Sequence, residues 1–398
     1  AASLNPPHEI NPASCHDGAM ADSPFLVAGG GIAGLAAALG LARIGKSSHV
    51  LEKAPHFEEV GAGLQLGPNA VQALQWLGAW DAVAPHCVAP ASILVRDGMS
   101  GNVLQHIPLG ANFEKRFGAP YRVAHRADLL NGLLESARST PGIDLQNNAE
   151  VTNVSFSETA LTLKSGETHA GEAIIAADGV HSVIRNLMAG QPGKNPIGHM
   201  LHRGLIPIAS VPASVNIDVV TLWLFPGGHV VHYAVSNWRH FNIVAAVEDP
   251  EISLWSAFQG ACQPLADILE LKIEWTKWPA LDLAPAPIWS KNRTVLIGDA
   301  AHATLPYLAQ GAAMALEDAC VLSSAIQNAN ELESAFRDFA ESRYTRTSAI
   351  QKKSRQLGRI YHAGGILRRA RNALLKTVPP KRFINQLSWV YDWKVTGK

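Results

Sequence analysis

Cysteine pairs, net charge and a convincing membrane span are what this sequence lacks. Cys15, Cys87, Cys262 and Cys320 stand far apart and form no C-x-x-C pair, which argues against a disulfide scaffold and a structural zinc site and for a reducing, cytoplasmic setting. No ligand cluster for a metal is visible. Lys and Arg number 33, as do Asp and Glu, so the formal charge is zero; nucleic acid is not an expected partner. With 47 % hydrophobic and 17 % charged residues, the chain is neither disordered nor collagen-like. The uncharged run Phe25 to Ala42 has 18 residues, enough to suggest a membrane span. Five of them are glycines (Gly29, Gly30, Gly31, Gly34 and Gly40), which suits a strand-to-helix turn, so no span is expected. Residues 1–22, rich in Pro, Asn, Ala and His without a positive charge, read as a flexible leader with Met20 as the native start.

What is present begins with Phe25-Leu26-Val27-Ala28, a short buried strand, followed at once by Gly29-Gly30-Gly31-Ile32-Ala33-Gly34 in the spacing G-x-G-x-x-G. A helix is expected over Leu35 to Ile44. Gly29 permits the turn, Gly31 lets backbone approach a pyrophosphate, and Gly34 lets helix and strand pack closely, with the helix N-terminus facing the phosphates. A second strand, Ser48 to Leu51, ends in Glu52, 18 residues past Gly34, where a carboxylate can accept from an adenosine ribose. The pattern implies a dinucleotide without choosing between NAD and FAD. Two distant segments repeat the strand-then-turn arrangement: Glu172 to Ala177 before Asp178-Gly179, with Arg185 beyond, and Thr294 to Ile297 before Gly298-Asp299-Ala300-Ala301-His302, leading past Pro306 into a helix from Gln310.

Together, in this order, the three segments resemble the fingerprints of single-component FAD-dependent aromatic hydroxylases, and most of all the salicylate and hydroxybenzoate hydroxylases. The resemblance spans about Pro24 to Asp392. It implies an α/β fold in which a Rossmann-like FAD domain (23–93, 121–186 and 288–340) carries an inserted antiparallel sheet domain for substrate (94–120 and 187–287) and a helical C-terminus (341–398). By the same resemblance the Gly29, Gly31, Ala33 and Gly34 loop and Asp178 belong to the FAD site, Glu52 and Lys53 flank adenosine, Gln65 lies in the flavin-facing loop Gly61 to Ala70, and Arg126 approaches the ribityl and phosphate portion. Val151 meets adenine through its backbone, Asp299 binds ribityl hydroxyls, and Pro306, Gly311 and Ala312 border the flavin, the last two offering N–H groups. A helix-start pair with Asp128 is the structural alternative for Arg126, and His302 reads as a turn residue.

Between the second and third segments the pattern changes. Val219 to Phe225 and Val230 to Val235 flank Pro226-Gly227-Gly228, a hairpin signal, and Phe241 to Val247 follows. Alternation puts His229, Val231 and Tyr233 on one face and Val230 and His232 on the other. By number, Trp223 and Phe225 are given the parity of His229, as walls for a flat ring or as ordinary core. His229 and Tyr233 coincide with positions that line the substrate pocket in hydroxybenzoate hydroxylases; His229 would take a phenol proton and Tyr233 would hold phenolate or carboxylate. Gln65 stands where a few relatives acting on hydroxypyridines have His. Basic residues recur without an acid from Arg343 to Arg382 and read as amphipathic helices packed on the protein.

The implied reaction is FAD- and NADH- or NADPH-dependent hydroxylation of a phenolic aromatic acid by molecular oxygen through a flavin hydroperoxide. A hydroxynicotinate-type ring, an epoxidation and a non-hydroxylating flavoprotein stay open as alternatives, as does a homodimer. The choice between NADH and NADPH is not legible.

Overall fold

The computed structural model describes residues 23–57, 63–189 and 194–395; the expected leader over 1–22 and Gly61 and Ala62 of the flavin-facing loop lie outside them. Every residue of the strand Phe25–Ala28 is buried, as an interior parallel strand of continuous apolar sequence should be. It lies within a six-stranded sheet ordered Ser290–Lys291, Thr294–Leu296, Ile174–Ala176, Phe25–Ala28, Ser48–Leu51, Ile143–Gln146. All pairings are parallel except that of the Ser290–Lys291 edge. The register aligns Ala28 with Ala176 and Ala176 with Leu296, so the three turns singled out in the sequence leave neighbouring strands side by side. The helix after the first turn is Ile32–Arg43, starting three residues earlier than expected because Gly31 itself is its N-cap. Its Leu35 and Leu39 share a core with Leu316 and Ala319 of the helix Gly311–Asn328.

A second sheet has seven strands, in the order Thr276–Leu283, Lys194–Pro207, His240–Val247, Gly228–Val235, Val219–Phe225, Ser92–Asp97, Val103–Pro108. It is antiparallel but for one pair, Val219–Phe225 with Ser92–Asp97, which is parallel. The two-residue turn Pro226-Gly227 pairs Phe225 with Gly228, Leu224 with His229 and Trp223 with Val230. Odd numbers on one strand therefore meet even numbers on the next. Trp223 and Phe225 share the face of Val230, not that of His229, and are core residues packed with Phe241, Ile243 and Phe258. The expected parity fails because facing depends on register across the turn, not on number. His232, on that same inner face, accepts from Trp223 Nε1 at 2.9 Å.

The basic C-terminal segment opens with the 30-residue helix Leu332–Tyr361, about 45 Å long, which runs unbroken across residue 340, where a boundary was expected. Buried charges persist only when paired, and these are. Arg343 Nε meets Asp318 Oδ1 at 2.7 Å, Arg343 Nη2 meets Glu317 Oε2 at 2.8 Å, and Arg346 Nη2 meets Glu317 Oε1 at 2.6 Å. Arg355 reaches Asp282 and Arg368 reaches Asp97. The next helix, Gly365–Thr377, reverses the expected amphipathic orientation: Ile366 and Leu367 are exposed while Arg371 is buried. The cause is capping, since Arg371 Nη1 donates to the carbonyls of Ile360 at 3.0 Å and Tyr361 at 2.7 Å, which end the preceding helix. Tyr391 docks the terminus against Phe113, Phe117 and Tyr121. Among the described residues no helix is long and apolar enough to cross a membrane.

Candidate active site

At the carboxyl end of the parallel sheet the first turn is shaped for a bound anion. Gly29 has φ +105°, and a Cβ on Gly34 would sit 1.8 Å from the Gly29 carbonyl oxygen, so these two positions require glycine. A Cβ on Gly31 would meet nothing within 4 Å; the space beside it is open, at the N-terminus of a helix with no side-chain cap and no acidic residue in its first turn. That is the donor arrangement an anionic pyrophosphate needs. A Cβ on Gly298 would come 2.8 Å from the Cβ of Ala33, which places the third turn directly against the first. Asp299, half-buried, starts the short helix there. Gly311 and Ala312, half-buried, begin a second uncapped helix, and exposed Pro306 lies in the turn before it.

Glu52 ends its strand with its carboxylate oriented by two backbone donors, Gly30 N–H to Oε2 at 2.6 Å and Ala54 N–H to Oε1 at 2.9 Å. A carboxylate has further lone pairs for ribose hydroxyls. Lys53 beside it is exposed. A cavity of about 840 Å³ adjoins the neighbouring edge strand Ile143–Gln146, lined by Phe57, Ala127, Asn131, Leu145 and Asn147 among others. Arg126, half-buried, is the first residue of the helix beside that cavity, while Asp128 accepts from Ser236 Oγ at 2.7 Å. Val151 opens a separate three-stranded sheet. Asp178 caps the helix after the second turn, accepting from Val183 N–H at 2.8 Å and Ile184 N–H at 3.3 Å; its other oxygen is buried without a hydrogen-bond partner. Arg185 joins the second turn to the third, donating to the carbonyls of Val180 at 2.7 Å and Ala300 at 2.9 Å.

Beneath the third turn lies a buried polar network centred on Asp318. Asp318 Oδ2 accepts from Gly298 N–H at 2.9 Å and contacts His302 Nε2 at 2.5 Å, while Oδ1 takes Arg343. Burial pushes the Asp318 carboxyl up, yet His302 and Arg343 together bring it below its ordinary range. His302 is buried and ends the short helix Asp299–His302, where a turn was expected. Glu317 accepts from Asn69 Nδ2 at 2.7 Å, and Asn69 also donates to Gln310 at 2.9 Å.

On the sheet above, His229 and Tyr233 share a face, four residues or about 13 Å apart along one strand, and have different partners. His229 is 5 % exposed. Its Nδ1 lies 2.8 Å from His362 Nε2, and its ring centroid lies 5.0 Å from Tyr307, 5.4 Å from Tyr361 and 5.1 Å from His362. Burial, with His362 and His199 beside it, holds His229 well below the usual histidine value. Tyr233 packs against the strand Gly63–Leu66, where Asn242 Oδ1 accepts from Gly63 N–H at 2.6 Å. Burial pushes the Tyr233 hydroxyl up, offset in part by a hydrogen bond with Gln65. Gln65 also accepts from the Tyr121 hydroxyl.

Tyr307, Tyr361 and His362 escaped the sequence reading. His362 caps the long C-terminal helix, within the stretch of basic residues.

Adjacent strand-end turns on a parallel sheet, the first opening at an uncapped helix N-terminus, define a dinucleotide-binding protein. Residues 22–337 match the FAD binding domain family, and the chain belongs to that family, among its FAD-dependent aromatic hydroxylases. It is 38 % identical over 389 residues to 3-hydroxybenzoate 6-hydroxylase of Polaromonas naphthalenivorans (strain CJ2), covering 94 % of this chain and 97 % of that one. Klebsiella pneumoniae HpxO, solved with FAD and uric acid, superposes with a TM-score of 0.82 at 26 % identity, over 93 % of this chain and 97 % of that one. A salicylate hydroxylase substrate complex gives a TM-score of 0.78 at 25 % identity, over 94 % and 96 % of the two chains.

Proposed function

We propose that this protein hydroxylates a phenolic aromatic acid of the hydroxybenzoate type, with NADH or NADPH and molecular oxygen as co-substrates. The observation that carries the reading is His229, a buried imidazole on the sheet face that meets Tyr307, the residue after Pro306. Bound FAD supplies the redox chemistry, accepting electrons from the nicotinamide and activating oxygen. Gly29, Gly31, Ala33 and Gly34 receive its pyrophosphate, Glu52 and Lys53 flank adenosine, and the Val151 backbone faces adenine. Arg126 and Asp299 hold the phosphate and ribityl portions, Asp178 fixes the neighbouring turn, and Pro306, Gly311 and Ala312 border the ring system.

At the substrate, His229 takes the phenol proton and so raises electron density on the ring carbon to be oxygenated. Tyr233, kept protonated by burial, donates a hydrogen bond to the phenolate or carboxylate, and Gln65 orients it. The cover of the seven-stranded sheet excludes water from the reacting ring. The similarity to a 3-hydroxybenzoate 6-hydroxylase makes 3-hydroxybenzoate the first candidate, and Gln65, in place of the His of some hydroxypyridine enzymes, disfavours a hydroxynicotinate.

The test is turnover of the FAD-loaded protein with NADH and with NADPH, following oxygen, peroxide and product across 3-hydroxybenzoate, salicylate and 6-hydroxynicotinate. One benzoate should accelerate nicotinamide oxidation and yield a hydroxylated product with little peroxide. Baseline rates with every benzoate, or oxygen converted wholly to peroxide, would remove the assignment.

A further inference from the structure

His229 is one end of a chain of hydrogen-bonded titratable groups that runs out of the site. His229 Nδ1 lies 2.8 Å from His362 Nε2, and His362 Nδ1 lies 3.0 Å from Glu248 Oε1. The side chain of His362 is 1 % exposed and that of Glu248 is 45 % exposed, so the chain begins in the interior and ends in water. Glu248 borders a second cavity, of about 300 Å³, with His199, Asp282, Tyr307, Arg355 and Arg359. Backbone bonds hold the links in place: Gly227 N–H donates to the His362 carbonyl at 2.9 Å, and Glu248 N–H donates to the Gly227 carbonyl at 2.9 Å. The hairpin turn thus clamps both residues beside the strand that carries His229.

The donor pattern sets a direction. An ionised carboxylate only accepts, so Glu248 requires the proton of His362 on Nδ1. A neutral imidazole has one N–H, which leaves His362 Nε2 as acceptor and makes His229 Nδ1 the donor. The lone pair of His229 is then on Nε2.

We propose that His362 and Glu248 are a relay that carries the substrate's phenol proton from His229 to solvent, a role that rests on the reading of His229 as the base. The phenol O–H bond breaks and the proton joins His229 Nε2. The Nδ1 proton of His229 passes to His362 Nε2, and the Nδ1 proton of His362 passes to Glu248 Oε1 and on to water. The three transfers together leave both imidazoles neutral with their protons on the opposite nitrogens and the phenolate charge at the site; the reverse transfers, when the product phenol is reprotonated, restore the starting tautomers. A buried base that resists staying charged needs such an outlet. Burial, with His199 and Arg371 nearby, lowers His362 to about 3, so it passes a proton on and does not store it. The titratable and charged groups facing the pair are Tyr307, Tyr361, His199, Glu248 and Arg371. His199, Glu248 and His362 place ligand atoms within 4.8 Å of one another, but Arg371 beside His362 and Arg355 and Arg359 in the adjoining cavity oppose a cation there and favour the relay.

The relay is tested by mixing oxidised, FAD-loaded protein with 3-hydroxybenzoate in weak buffer and following proton release with an indicator dye in stopped flow. His362→Gln and Glu248→Gln should each slow release at least tenfold while leaving its amplitude and the affinity for 3-hydroxybenzoate within threefold. Added imidazole should restore the first variant and formate the second, and the slowing should diminish as pH rises and hydroxide replaces the outlet. Release at the wild-type rate in both variants overturns the relay alone. No proton release by the wild type overturns the relay together with the role of His229. Should His362→Gln fail to retain flavin, Glu248→Gln, altered at an exposed side chain, decides by the same criteria.

Discussion

Replacing Arg343 by Met removes one positive charge from the network under the third turn. Arg343 is 2 % exposed, and Glu317 and Asp318 are fully buried. Glu317 keeps Arg346, which approaches it with two nitrogens at 2.6 and 2.7 Å. Asp318 loses its only guanidinium and retains His302 and the Gly298 N–H. Breaking one side of a buried ion pair costs about 3–5 kcal/mol. For a chain of 398 residues that corresponds to a fall in Tm of roughly 4–6 °C. The pH dependence has a definite sign. In the wild type the Asp318 carboxyl is held below its ordinary range, so its contribution is present above the unfolded-state value near 4 and is lost as pH falls through the lower folded value. In the variant burial acts unopposed by Arg343, so the gap between the two proteins is widest at neutral pH and closes in acid. Because Asp318 also anchors Gly298, retained flavin should fall with Tm. Thermal unfolding and flavin absorbance after gel filtration measure both. A loss below about 1 kcal/mol with full flavin content would refute the reasoning. So would failure of a second change, Asp318→Asn in the Arg343→Met background, to recover any of the loss.

Four further substitutions act at single positions. Gly31→Ala should leave Tm of the flavin-free protein within about 2 °C, since the new methyl meets nothing, yet weaken FAD retention at least ~10-fold by filling the pyrophosphate space; Gly34→Ala should lower Tm as well, because its methyl collides with backbone. Arg368→Ala should cost about 1–3 kcal/mol at neutral pH, between the ranges for exposed and buried pairs because the Arg368 side chain is 20 % exposed and that of Asp97 2 %, read by urea unfolding. Burial pushes Asp97 up, but Arg368 and Ser100 outweigh it and lower Asp97 to about 2, so the cost should persist above about pH 4 and vanish as pH falls through 2. His229→Gln should reduce the hydroxylation rate by about 10²–10⁴-fold with flavin content unchanged, and with peroxide taking the place of product; equal product yield in single-turnover assays would contradict it.

The nucleotide half was legible because its requirements are local. A strand, a turn that only glycine can make and a helix N-terminus lie within twenty residues, and each leaves a mark on the sequence. The hairpin at Pro226-Gly227 was legible for the same reason, although its register was not, and that inverted the side on which Trp223 and Phe225 were placed. His362 was invisible because its relation to His229 crosses 133 residues and depends on where a 30-residue helix stops. The network of Asn69, Glu317, Asp318 and Arg343 was hidden likewise. In the sequence Arg343 is one of many basic residues, and only packing shows it to be buried among carboxylates, unlike the exposed cations of the same segment.

The central claim is that one oxygen atom from O₂ is placed on the ring of a phenolic acid held beneath His229. It is tested most directly by a turnover of the FAD-loaded protein with 3-hydroxybenzoate under ¹⁸O₂, with the product resolved by mass spectrometry. The account predicts a dihydroxybenzoate carrying one ¹⁸O in its new hydroxyl. Isotope found only in peroxide and water, with the benzoate recovered unchanged, would contradict it.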